Sequence, residues 1–160
     1  LVAFSPVLAR AFLPVLAEDA TAEEFMDFYL DDETRMQWDS MISETQLLES
    51  GADPAQRCQV VRWLRTFPFA FLSQREYVIA RRFFRGENGA LYAVTRGLPE
   101  HPAAPAVPGR VRMEGFHSHW RSREVPCPHG SGRPAVETTL LHYEDFRINE
   151  RLARCEGGGA

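Results

Sequence analysis

Between Arg75 and Phe83 the chain mixes cations with apolar side chains at alternating positions. In an extended strand Arg75, Tyr77, Ile79, Arg81 and Phe83 project to one face, while Glu76, Val78, Ala80, Arg82 and Phe84 project to the other. Two guanidinium groups among Tyr, Ile and Phe suit an amphiphile: alkyl contact along a wall, with a planar fork that grips a phosphate or carboxylate. The competing reading is structural. An isolated buried cation is costly, so a neighbouring acid would be expected to pair with each arginine. Trp63, Trp120 and Tyr143 are candidate lining aromatics, and equally candidates for plain core packing.

Other chemistries fit less well. His117 and His119 lie two apart on a strand and share a face; with Cys127 and His129 they resemble a zinc set on paper, but the spacing matches no standard ligand motif. They read as an imidazole pair on the outer face of a sheet. The chain has no Gly-x-Ser-x-Gly elbow, no Walker loop and no dinucleotide glycine fingerprint, so no catalytic residue, metal or cofactor is assigned. A net charge of −4 argues against a dedicated nucleic-acid binder. Cys58, Cys127 and Cys155 are odd in number and far apart, which fits a reducing compartment.

The elements that must position these residues follow from pattern. Thr21-Ala22-Glu23-Glu24 is a capping box, and Phe25, Phe28 and Tyr29 recur at helical spacing as core candidates. A helix over Ala22 to Leu30 and a short one over Asp32 to Trp38 result. Six strand-like segments follow, near Ile42–Glu49, Cys58–Phe67, Tyr77–Arg85, Leu91–Leu98, Val111–Val125 and Val136–Tyr143. Turn formers separate them, including Gly86-Glu87-Asn88-Gly89 and the proline-rich stretch Pro99–Gly109. Short connections imply an antiparallel meander, because parallel neighbours need crossover elements. The class is α+β: one substantial helix ahead of a long antiparallel sheet whose apolar face must be covered. The apolar opening, Leu1 to Leu16, is interrupted by Pro6, Arg10 and Pro14 and reads as an element of the fold. The charges are segregated as well. Eleven acids and one base lie between Glu18 and Glu49, whereas seven arginines face a single acid between Arg57 and Arg85, and the chain has no lysine.

Four segments, in order, resemble START (steroidogenic-acute-regulatory-related lipid-transfer) domains. They are Asp31-Asp32-Glu33-Thr34-Arg35-Met36-Gln37-Trp38-Asp39; Val60 to Phe69 followed by Ser73 to Arg82; Val111 to Trp120; and Leu141-His142-Tyr143-Glu144-Asp145. The nearest flavour is the phosphatidylcholine-transfer branch with its plant and algal relatives. The resemblance implies a helix-grip fold, in which a curved antiparallel sheet and a C-terminal helix enclose a tunnel for one phospholipid or sterol-like molecule. It also implies lipid transfer or sensing without a cofactor, transient membrane contact, a cytoplasmic and membrane-peripheral location, and the potential for further domains in a longer chain.

On this resemblance Arg81 is the first candidate for a ligand-facing cation and Arg75 the second, with Tyr77, Ile79, Phe83, Trp63, Trp120 and Tyr143 along the tail path. The loop Leu98–Gly109 would gate the tunnel and touch membranes through Leu98, Pro99, Val107 and Pro108. Some relatives pair the tunnel arginine with an acid on the preceding strand; the matching position here reads as Arg62, which leaves that pair absent. The chain divides into residues 1–20 as a remnant of N-terminal elements, 21–155 as the lipid-binding domain and 156–160 as a flexible glycine-rich tail. The closing helix is expected over Asn149 to Cys155, about two turns at roughly 1.5 Å per residue. A domain so shortened at both ends would bind lipid poorly on its own. A ligand-sensing domain of a larger protein is the second reading, and a small cyclase or hydrolase on the same fold is the third.

Overall fold

The computed structural model describes residues 8–53, 57–68, 72–130 and 132–148. Helix α1 (Ala22–Leu30) begins at the expected capping box. The Thr21 hydroxyl accepts from the Glu24 amide at 3.1 Å, and the Glu24 carboxylate accepts from the Thr21 amide at 2.8 Å. Asp31 ends α1 and caps α2 (Asp32–Trp38), accepting from the Glu33 and Thr34 amides at 3.0 Å each. One short polar residue thus serves two helix termini and sets the angle between them.

The strands are β1 (Leu8–Ala17), β2 (Ile42–Ser50), β3 (Arg57–Arg65), β4 (Arg75–Arg85), β5 (Leu91–Gly97), β6 (Val111–Arg112), β7 (Phe116–Pro126) and β8 (Pro134–Asp145). They form one curved sheet in the order β1-β8-β7-β5-β4-β3-β2. Every neighbour along that path is antiparallel, as the short connections require. The apolar opening contributes an edge strand: β1 pairs with β8 from Leu8↔Asp145 to Ala17↔Val136. Pro14 is tolerated there because an edge strand has one side free of ladder bonds. The other edge, β2, carries two register irregularities and several exposed polar side chains, features that discourage further strand pairing.

The segment Val111–Val125, expected as one strand, is broken. Val111 and Arg112 pair in parallel with Arg75 and Glu76, and β7 starts only at Phe116. The reason is a close crossing. A Cβ on Gly97 would stand 2.8 Å from the carbonyl oxygens of both Met113 and Glu114, so the chain passes directly over the end of β5. Only a residue without a side chain admits that approach.

The core lies on the concave face in two clusters. Ile42, Val61, Trp63, Tyr77, Ile79, Met113 and Phe116 make the first. Ala22, Met26, Leu91, Ala93 and Val136 make the second, with Phe25, Tyr29, Phe83 and Trp120 packed against it. Met26 is fully buried, a contribution of roughly 1.5–3 kcal/mol. Phe28 departs from its expected core role and is 49% exposed, with its ring stacked on Trp38 at 5.7 Å. Phe25 and Tyr29 are four residues apart and share the buried helix face, which turns Phe28 outward.

Candidate functional site

Between the two clusters the concave face leaves a cavity of ≈ 220 Å³. Tyr29 and Arg35 reach it from the helices, Trp63, Arg65 and Tyr77 from β3 and β4, and Phe116, Ser118, Trp120, Leu140 and His142 from β7 and β8. Strand alternation explains the set: Trp63 and Arg65 are two apart, as are Phe116, Ser118 and Trp120, and each series keeps one face.

Aromatic rings hold the cations at the cavity wall. The Arg35 guanidinium lies 4.6 Å from the Tyr29 ring centroid, 4.7 Å from Trp63 and 5.1 Å from Trp38. Its Nη2 donates to the Tyr29 carbonyl at 2.8 Å, and the residue is 7% exposed. Such cation–π contacts contribute about 0.5–2 kcal/mol each, most when water is excluded. Arg65 Nη2 donates to Asp39 at 3.4 Å. Deeper in, the Tyr77 hydroxyl donates to Glu144, and His142 Nε2 lies 3.1 Å from the other Glu144 oxygen. Burial, then the Glu144 carboxylate, pushes the Tyr77 phenol far upward, so it stays protonated and donates.

Three buried N–H groups on this wall have no hydrogen-bond partner among the described residues: Arg35 Nε, Arg65 Nε and Trp120 Nε1. Buried donors are normally satisfied, and each one left bare costs about 1–3 kcal/mol. Ile42, Phe116 and Leu140 supply apolar surface to the same cavity.

The structure distributes the sequence candidates. Arg75, Tyr77, Ile79, Arg81 and Phe83 do share the concave face. Trp63, Trp120 and Tyr77 line the cavity, and Ile79 packs in the cluster beside it. Phe83 packs toward α1 and takes the Arg57 guanidinium at 4.6 Å. Arg81 turns to α2: its Nη1 and Nη2 donate to the two Asp32 oxygens at 3.0 and 2.9 Å, its Nε to Gln59 at 2.9 Å, and Nη2 also to the Leu30 carbonyl at 2.9 Å. The residue facing Arg81 on β3 is therefore Gln59; Arg62 is in register with Val78 and points to the convex face. The acid paired with Arg81 comes from a helix.

Arg75 donates to the Ser73 carbonyl, and to that of Phe146 at 3.3 Å; its Nε has no partner among the described residues. Burial pulls its pKa below the usual arginine value. Tyr143 lies on the convex face, in register with His117, because His142 takes the inward position. The loop Leu98–Gly109 contributes nothing to the cavity lining. Arg112 binds the Pro99 and Ala104 carbonyls at 3.3 and 2.8 Å and is itself held by buried Glu76 at 2.8 Å, which ties the loop to the convex side. Arg35, Asp39, Arg65, Ser118 and His142 are the polar residues of the cavity lining not singled out from sequence. Arg65 was accessible, since it lies two residues beyond Trp63 on the same strand face. The expected helix over Asn149 to Cys155 and the 156–160 tail lie outside the described residues. Among the described residues no cluster of His, Cys, Asp and Glu is arranged to hold a metal, and His129 meets Glu18 at 2.8 Å.

Comparison with known proteins follows the same outline. No family model matches. The mouse StAR-related lipid transfer protein 7, mitochondrial, is 32% identical over 128 residues, covering 79% of this chain and 32% of that protein. The human protein of the same name matches equally. The chain thus spans about a third of the length of the curated relatives it matches. Among solved structures, human StAR-related lipid transfer protein 5 superposes with a TM-score of 0.63 at 22% identity, covering 86% of this chain and 61% of that one. The lipid transfer and protein localization domain of human StarD13 (DLC2) gives 0.60 at 21%, covering 86% and 62%. A STAR-related lipid transfer protein fragment from Xanthomonas axonopodis gives 0.60 at 18%, covering 82% and 66%. These structural likenesses establish the fold. With the sequence likeness over most of the chain and the four ordered segments, they show that the chain belongs to the START domain family.

Proposed function

We propose that the chain binds one lipid molecule, phospholipid or sterol-like, in the concave cavity, for transfer between membranes or for sensing, without catalysing a reaction on it. The observation that carries this is the cavity wall, where Tyr29, Trp63, Phe116 and Leu140 stand among Arg35, Arg65, Ser118 and His142, and where Arg35 Nε, Arg65 Nε and Trp120 Nε1 have no partner among the described residues. Tyr77 and Glu144 occupy each other, so the pair supports a polar floor for the cavity rather than acid–base chemistry. Arg75, also with a bare Nε, is the reserve headgroup anchor, while Arg81 fastens α2. The names of the curated and structural relatives, all lipid transfer proteins, support the same reading. A membrane-peripheral location in a reducing compartment goes with it. No helix among the described residues is long and apolar enough to cross a membrane.

The test is titration of the chain with a phosphatidylcholine analogue that quenches tryptophan, read through Trp63 and Trp120. Saturation at one lipid per chain is expected, weakened roughly 2- to 12-fold by Trp120→Phe, which removes a single hydrogen bond of about 0.5–1.5 kcal/mol. Absence of saturable binding would overturn the reading. Movement of a labelled lipid from donor to acceptor vesicles then separates transfer from sensing.

A further inference from the structure

Ser118 and His142 line the cavity from directly opposite positions on β7 and β8. Facing residues on adjacent antiparallel strands have Cβ atoms about 4.5–5.5 Å apart, near enough for two side chains to hold one small group. The Ser118 hydroxyl makes no hydrogen bond among the described residues. The His142 ring is fixed more firmly. It packs edge-on against Phe116 at 5.3 Å, and its Nε2 lies 3.1 Å from a Glu144 carboxylate oxygen. Tyr77 donates to the other Glu144 oxygen.

Neutral imidazole carries a single N–H, and a carboxylate can only accept. The Glu144 contact therefore holds the His142 proton on Nε2 and leaves Nδ1 with a lone pair. Nδ1 makes no hydrogen bond among the described residues. The wall thus offers an acceptor at His142 and a rotatable O–H at Ser118. A free hydroxyl group matches that pair, since it donates one bond and accepts another, whereas an ester or a phosphodiester only accepts. Charge points the same way. The lining carries Arg35, Arg65 and Asp39, and Glu144 is bonded to His142. Two cations against two carboxylates leave no surplus for a phosphate headgroup, and Arg65 already donates to Asp39. Phe116 and Trp120 flank Ser118 on the same strand face, and Leu140 precedes His142 on its own, so apolar surface adjoins the pair.

We infer that Ser118 and His142 select a lipid with a free hydroxyl group, whose O–H donates to His142 Nδ1 and whose oxygen accepts from Ser118. This rests on the lipid-cavity reading above and names the polar end of that lipid. The ligand is an alcohol of the sterol or diacylglycerol kind, taken ahead of its relatives that lack the O–H. Glu144 is a positioning residue: it holds the imidazole in one tautomer, and Tyr77 occupies the carboxylate oxygen that His142 leaves.

The experiment is titration of the full chain, read through Trp63 and Trp120, with a diacylglycerol bearing brominated acyl chains, with dehydroergosterol, and with the methyl ether of each. Bromine quenches the indoles, and the sterol accepts their emission. A methyl ether keeps the accepting oxygen and loses the O–H. At least one alcohol should therefore bind about 2- to 12-fold tighter than its own ether, the range of one hydrogen bond, and which alcohol does so identifies the source of the hydroxyl. His142→Gln sets an amide donor where Nε2 stood and no acceptor where Nδ1 stood. It should melt within about 2 °C of the parent and lose the alcohol–ether difference. His142→Asn sets an amide oxygen where Nδ1 stood, so it should keep the difference while melting lower for want of the Glu144 contact. Ser118→Ala should weaken alcohol and ether alike by about 2- to 12-fold. Equal binding of alcohol and ether by the parent would overturn the inference. So would a difference that survives in His142→Gln, since the bulk of the methyl group alone would then explain it. A brominated phosphatidylcholine that saturates the chain while neither alcohol binds would overturn it and leave the lipid-cavity reading standing. No saturable binding of any of these lipids would overturn both.

Discussion

Arg81→Met separates a fastening arginine from a ligand anchor. Arg81 is 6% exposed and directs its guanidinium entirely into Asp32, Gln59 and the Leu30 carbonyl. Removing one partner of a buried pair costs about 3–5 kcal/mol, since the other charge stays buried and unmatched. Asp32 retains the Trp63 indole N–H at 3.0 Å and its side chain is 17% exposed, so the lower end, about 3 kcal/mol, applies. For a domain of this length each kcal/mol moves the melting temperature by about 2–4 °C, which gives a drop of about 6–12 °C. Arg81→Met combined with Asp32→Asn should recover part of that loss, because no uncompensated charge remains. The assay is thermal unfolding by circular dichroism, with lipid titration well below the transition. A melt lowered by less than about 2 °C together with abolished lipid binding would refute the fastening role and return Arg81 to the ligand.

Glu76→Gln should destabilise the protein by about 3 kcal/mol, because Arg62 and Arg112 both rely on this buried carboxylate; chemical denaturation measures it. Burial alone would raise the Glu76 pKa, but hydrogen bonds from Arg62 and Arg112 outweigh it and hold it below the usual carboxylate range. Its contribution is therefore complete above the unfolded value of about 4.3 and is lost as pH falls through the lower folded value, so Glu76→Gln should flatten the acid limb of the stability profile. Gly97→Ala should cost about 1–3 kcal/mol, since the new methyl group meets two backbone carbonyls at 2.8 Å; a melt equal to the parent's would contradict the crossing described. Tyr77→Phe should cost about 1–3 kcal/mol by removing a donor from buried Glu144, measurable by urea unfolding without ligand.

Much of the architecture was legible because it is local. The capping box at Thr21, the second helix after Asp31 and the strands from Ile42 to Tyr143 follow from side chains that interact with neighbours a few residues away. The site was legible only by face. Alternation set Tyr77 and Trp63 inward together, yet it could not say which inward cation would be neutralised. Arg81 and Arg65 look alike on their strands. Asp32 lies 49 residues before Arg81, and its distance from that guanidinium is decided by how α2 lies across the sheet. Phe28 shows the same limit, since helical spacing marks aromatics without saying which side of the helix meets the sheet.

The sequence by itself determined a helical start, an antiparallel run of strands, segregated charge and a family likeness, because propensity, capping and periodicity act within a few residues. Only the tertiary structure decided that β1 completes the sheet beyond β8 and that the chain breaks at Met113 to cross Gly97. The same holds for Glu76 gathering arginines from two segments, and for the donors left bare at the cavity wall. Each of those outcomes depends on how distant segments share volume and charge once the sheet curves, and no local pattern in the chain encodes that.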